Sequence, residues 1–97
     1  MIIYIDIDET ICNTTDTDDY SKSTPILENI EKVKALVEEG HDVSFWTARG
    51  MLKGDDMEPL TIEQLNSWGL GDIPVIFGKP YFDLFIDDKV MNVKDWK

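Results

Sequence analysis

The chain has 97 residues, 42% of them hydrophobic, and twenty acidic side chains against nine basic ones give it a net charge of −11. That size and apolar content suit one domain spanning 1–97 with a single core, and exclude a disordered polymer. The acid excess disfavours long nucleic acid, and the single cysteine, Cys12, excludes an internal disulfide and suits a cytoplasmic setting.

Residues 2–7 read as a first strand, because Ile2-Ile3-Tyr4-Ile5 is an unbroken apolar run of the kind buried on both faces of a parallel sheet. The run is too short for a signal peptide or a membrane span and is interrupted by Asp6. A polar stretch follows, with 12–23 long enough for a small flap. Thr24 and Pro25 read as the N-cap and first position of a helix, with Ile26, Ile30, Val33 and Val37 on one face and Gly40 at its end. Val43 to Trp46 reads as a second strand ending at Thr47, and 50–58 as a loop. Thr61 with Gln64 has capping-box spacing before Ile62, Leu65 and Trp68, a short helix closed by Gly69. Val75-Ile76-Phe77 is a third strand and Leu84-Phe85-Ile86 a fourth; after Met91 the tail either adds an edge strand or packs down. This alternation predicts an α/β fold, a Rossmann-like three-layer arrangement with a mostly parallel sheet and helices on both faces.

Two aspartate pairs carry the chemistry. Asp6 and Asp8 follow the first strand, and Asp87 and Asp88 follow the fourth. Carboxyl ends of parallel strands are where open α/β sheets bind ligands. Were the two strands neighbours, these carboxylates would share one small volume. Two carboxylates about 4 Å apart repel by roughly 4 kcal/mol at an effective dielectric near 20. A divalent cation relieves that repulsion, and hard oxygen donors alone suggest Mg²⁺. Asp16-x-Asp18 has similar spacing but no buried strand before it.

Four polar signals stand at or just after strand ends: D-I-D-E-T at 6–10, T-A-R-G at 47–50, G-K-P at 78–80 and D-D-K at 87–89. In that order they resemble the motif series of the haloacid dehalogenase-like (HAD) phosphohydrolases, in a minimal form without a cap domain, similar to short phosphatases of bacterial and phage polysaccharide gene clusters. The resemblance covers the chain from Asp6 to Lys89. It implies a phosphatase in which Asp6 is the nucleophile that forms an aspartyl-phosphate and Asp8 the general acid and base. It gives Thr47 and Lys79 to phosphate binding, and puts the T-A-R segment, Thr47, Ala48 and Arg49, at the substrate. Mg²⁺ would be held by Asp6, the Asp8 carbonyl, Asp87 and Asp88. Glu9 departs from the pattern, since many members carry glycine there.

Read by itself, Arg49, the sole arginine, either forks onto substrate or forms a surface salt bridge. Asp88 has a second reading as a helix N-cap. Cys12 and the three tryptophans read as packing, and His41 lies at the opposite edge of the sheet. The leading expectation is a Mg²⁺-dependent phosphomonoesterase on a small sugar or polyol phosphate. A polynucleotide-end phosphatase and a catalytically silent binding module stand as alternatives, and a homo-oligomer is left open. A receiver-type signalling domain is excluded by motif order, because Lys79 precedes the second aspartate pair.

Overall fold

A computed structural model describes all 97 residues. In chain order the elements are β1 (Ile2–Ile5), β2 (Cys12–Asn13), β3 (Thr24–Pro25), α1 (Leu27–Glu38), β4 (Asp42–Thr47), α2 (Glu58–Ser67) and β5 (Val75–Phe77). Single 3₁₀ turns lie at Tyr20–Lys22 and Val93–Asp95. Strands β1, β4 and β5 form a parallel sheet in that order, while β2 and β3 pair as a short antiparallel ribbon.

The sheet's alternation explains the core. Ile3 and Ile5 pair with Val43 and Phe45, and Phe45 and Thr47 with Val75 and Phe77, so these residues share one face. There Ile5, Val43 and Phe45 join Ile7, Ile11 and Cys12, together with Ile30 and Val33 of α1, Leu65 of α2 and Leu70. Burying each large aliphatic or aromatic member stabilises the fold by roughly 1.5–3 kcal/mol. Both helices contribute to this one cluster. The opposite face carries Ile2, Tyr4, Trp46 and Ile76, exposed or half-buried, so the helices cover one face where alternation predicts both.

Several boundaries differ from the sequence reading. Thr24 and Pro25 do not open α1; they pair with Asn13 and Cys12, and the helix starts two residues later behind Ile26. A proline on this edge ribbon costs no ladder bond that a central strand would need. Gly40 and Gly69 do take positive φ just past α1 and α2, as their places after the apolar faces imply. Helix α2 starts at Glu58, which puts Thr61 and Gln64 inside it rather than at its cap.

The fourth strand is not formed. Residues 81–92 are all exposed, and 84–86 lie outside any strand. A parallel neighbour beside the free edge of β1 lies three strand spacings, about 14 Å, from β5, and a parallel crossover ordinarily takes a dozen or more residues; only six, 78–83, are present here, with no helix among them. The tail end does pack down: Lys32 Nζ donates to the Trp96 carbonyl at 2.9 Å and lies 5.4 Å from its ring.

Candidate functional site

The carboxyl ends of β1, β4 and β5 present Asp6 and Asp8, Thr47 with Arg49, and Lys79. Beyond Ile5 the chain makes a tight turn in which the Thr10 and Ile11 amides both donate to the Ile7 carbonyl. Ile7 is fully buried, which anchors the two aspartates on either side of it. Glu9 sits at φ 60, a left-handed conformation that glycine adopts at no cost and other residues at roughly 1–2 kcal/mol. Its side chain offsets part of that by accepting the Thr14 amide at 2.7 Å.

Asp6 Oδ1 accepts the Ile7 amide at 2.9 Å, and Oδ2 lies 3.7 Å from Lys79 Nζ. Burial pushes the Asp6 carboxyl above its ordinary value, the Lys79 ammonium and the Ile7 amide pull it down, and the charge on Asp8 adds to the rise. Lys79 is held beside Thr47 by its own amide, which donates to the Thr47 carbonyl at 3.1 Å. Its ammonium lies 5.5 Å from the Trp46 ring and 5.4 Å from that of Phe82. The Thr47 hydroxyl oxygen accepts the Arg49 amide at 3.1 Å, which leaves its proton free to donate. Ala48, half-buried, accepts the Met51 amide at 3.0 Å and turns the chain into the loop.

Arg49 does form a salt bridge, but a buried one. Its side chain is fully buried and all five N–H donors are engaged. Nε donates to Asp8 Oδ2 at 3.0 Å and one terminal nitrogen to Asp8 Oδ1 at 2.9 Å. The other donates to Thr61 Oγ1 at 3.1 Å and Gln64 Oε1 at 2.6 Å, and Cys12 Sγ takes the last contact at 3.9 Å. The Tyr20 ring faces the guanidinium at 4.7 Å. So the Arg49 guanidinium meets Asp8 rather than solvent. Thr14, Tyr20, Thr61 and Gln64 were not singled out as site residues from the sequence. The signal was present in two polar residues, i and i+3, on the face of α2 that also carries buried Leu65, a pattern that needs a buried partner.

Asp8 Oδ1 also accepts the Thr14 hydroxyl at 2.6 Å, and Thr14 in turn meets Ser23 Oγ at 2.7 Å. Burial, aided by the charge of Asp8, pushes the Cys12 thiol up to about 11. That agrees with packing rather than nucleophilic use. His41 does lie away from this edge, bonded to the amino group of Met1 and paired with Glu39.

Asp87 and Asp88 are not brought to this site. Both are exposed, and Asp87 Oδ1 accepts the Lys89 amide at 3.1 Å. No three His, Cys, Asp or Glu side chains stand close enough together to hold a metal. What the edge does offer is the Asp6 carboxylate and the Asp8 main-chain carbonyl, which accepts no hydrogen bond from the chain. These are hard oxygen donors, and Mg²⁺ is commonly held by one or two carboxylates with substrate phosphate and water completing its shell. The donor set therefore fits Mg²⁺ in kind and is short in number.

A cavity of about 220 Å³ adjoins the edge, lined by Arg49, the 50–58 loop, Phe77 and Gly78. Three acids, Asp55, Asp56 and Glu58, contribute to its wall. An ion pair between Lys53 and Asp18 ties that loop to the flap.

No model of a known protein family matches the chain, and no curated protein matches it. Among solved structures, an MCSG target from Vibrio cholerae is similar in its crystal structure, with a TM-score of 0.80 and 25% sequence identity. The match covers 98% of this chain and 86% of that one. The architecture described above is thus shared along almost the whole chain.

Proposed function

We propose that the chain is a minimal, capless HAD-like phosphohydrolase that cleaves a small phosphomonoester through an aspartyl-phosphate. The observation that supports this most is the meeting of Asp6, Lys79 and Thr47 at one sheet edge, from three adjacent parallel strands.

Each group has a task its position suits. Lys79 and the Thr47 hydroxyl hold the phosphoryl oxygens, one by charge and one by hydrogen bond, which is the positioning and electrostatic work that loose phosphoryl-transfer transition states require. Asp6 Oδ2 attacks phosphorus while the bond from phosphorus to the leaving oxygen breaks. The electron pair goes to that oxygen, which takes a proton from Asp8 and departs as an alcohol. A water then attacks the aspartyl-phosphate, giving its proton to Asp8, and the phosphorus–Asp6 bond breaks to release inorganic phosphate and restore both residues. Asp8 Oδ1 already accepts three donors whereas Oδ2 accepts only Arg49 Nε, so Oδ2 has the lone pair free to carry the proton. Asp6 and the Asp8 carbonyl would hold Mg²⁺, which would supply charge neutralisation for the incoming phosphate dianion. The cavity beside Arg49, walled by acidic acceptors, suits the hydroxyl groups of a sugar or polyol.

One observation favours a second reading. A tail whose acids stay in solvent leaves the edge without its full acidic set, as in a catalytically silent binding module. Hydrolysis of p-nitrophenyl phosphate with and without Mg²⁺ separates the two. The proposal expects Mg²⁺-dependent turnover that Asp6→Asn abolishes. A chain inert across a panel of phosphorylated sugars and polyols contradicts it.

A further inference from the structure

Gln64 bridges the backbone of the flap and the Arg49 guanidinium. Its Oε1 accepts from Arg49 at 2.6 Å, and its Nε2 donates to the Tyr20 carbonyl at 2.7 Å. Tyr20 lies in the 3₁₀ turn of the flap, and its ring lies 4.7 Å from the same guanidinium. Arg49 in turn forks onto both oxygens of Asp8. A continuous hydrogen-bonded path therefore runs from flap backbone through an amide and a guanidinium to a carboxylate. A second, shorter path runs through Thr14, which bonds Asp8 at 2.6 Å and meets Ser23 near β3 at 2.7 Å.

We propose that Gln64 and Arg49 form a positioning relay that aligns Asp8 for proton transfer only while the flap is seated on α2. The inference rests on the phosphohydrolase reading and adds to it the coupling of flap to general acid. The chemistry follows from fixed shapes. An amide presents one acceptor and two donors in a plane, and a guanidinium presents five donors in a rigid fork. With Gln64 bonded to both neighbours, the fork has one orientation and the free lone pair of Asp8 Oδ2 has one direction. Lift the Tyr20 carbonyl away and Gln64 can turn, Arg49 loses its brace, and Asp8 loses its aim. A small site without a cap then links proton delivery to coverage by the flap.

A packing role alone predicts equal losses for every substrate. A relay to the general acid predicts losses that grow with the basicity of the leaving group, because p-nitrophenolate departs readily without a proton and an alkoxide does not. The test compares kcat for p-nitrophenyl phosphate and for a simple alkyl phosphate, in wild type, Gln64→Leu and Arg49→Lys, with Mg²⁺ present. General acid–base catalysis contributes typically 10²–10⁴-fold, so the variants should lose on the order of 10–100-fold more on the alkyl ester than on the nitrophenyl ester. Both esters are measured on one preparation, so any unfolded fraction cancels from the ratio. Equal losses on the two esters in both variants, or no loss on either, overturn the relay while leaving the phosphohydrolase reading in place. A wild-type chain that hydrolyses neither ester overturns that reading and the relay together.

Discussion

Replacing Arg49 by methionine keeps much of its volume and removes the buried cation. Two charge-assisted hydrogen bonds to Asp8, at 3.0 and 2.9 Å, are lost, and the acceptors on Thr61 and Gln64 lose their donor. Removing one partner of a buried ion pair costs about 3–5 kcal/mol. The Asp8 side chain keeps 24% exposure, so water screens part of its charge and the lower end, about 3 kcal/mol, is expected. That is a large share of the roughly 5–15 kcal/mol by which domains are stable. Asp8→Asn strands the cation instead and should cost a similar amount. Combined in one chain, the two changes should cost about 2 kcal/mol less than their sum, because neither charge is then left alone. Urea unfolding at pH 7 gives all three values, with unchanged slopes as the control for two-state behaviour. Additivity within about 0.5 kcal/mol would refute the pairing.

Asp6 yields a signed prediction. Its folded-state carboxyl is raised, so folding loses stability as pH climbs from the ordinary value of 3.8 through the raised one. Asp6→Asn should therefore raise the urea midpoint at pH 7, with the gain disappearing below pH 3.8; a lowered midpoint at pH 7 would contradict the burial argument. Gly40 and Gly50 both take positive φ, but a Cβ at Gly40 meets open space while one at Gly50 strikes the Asp55 carbonyl. Gly40→Ala should cost about 1–2 kcal/mol and Gly50→Ala about 1–3 more, and equal costs in thermal unfolding would remove the clash from the account. Cys12 is fully buried with its thiol pushed up to about 11, so an aromatic disulfide reagent at pH 8 should react fully only in denaturant. Rapid reaction of the native chain would show the site to be open.

The sequence carried the strands it could mark by apolar runs between polar signals. β1, β4 and β5 stand where Ile2–Ile5, Val43–Trp46 and Val75–Phe77 lie, and their ends bring Asp6, Thr47 and Lys79 together. The same rule failed at Leu84–Ile86, because composition reports what a segment could do and not whether its connection lets it reach a partner. Cover on both sheet faces was inferred from alternation, which fixes crossovers but does not count the helices on each side. The deepest gap was Arg49. Its place after Thr47 suggested substrate or a surface salt bridge, whereas its partners Asp8, Thr61 and Gln64 are 41, 12 and 15 residues away and belong to other elements. Capping-box spacing misled in the same manner, since Thr61 and Gln64 serve that arginine and not a helix start.

Whether Asp6 accepts the phosphoryl group can be read directly. Rapid quenching during turnover of a phosphomonoester in Mg²⁺, followed by borohydride reduction, converts an acyl phosphate on aspartate into homoserine. The account predicts that mass spectrometry finds that conversion at position 6 alone. Homoserine at another aspartate, or turnover that leaves Asp6 unreduced, would contradict it.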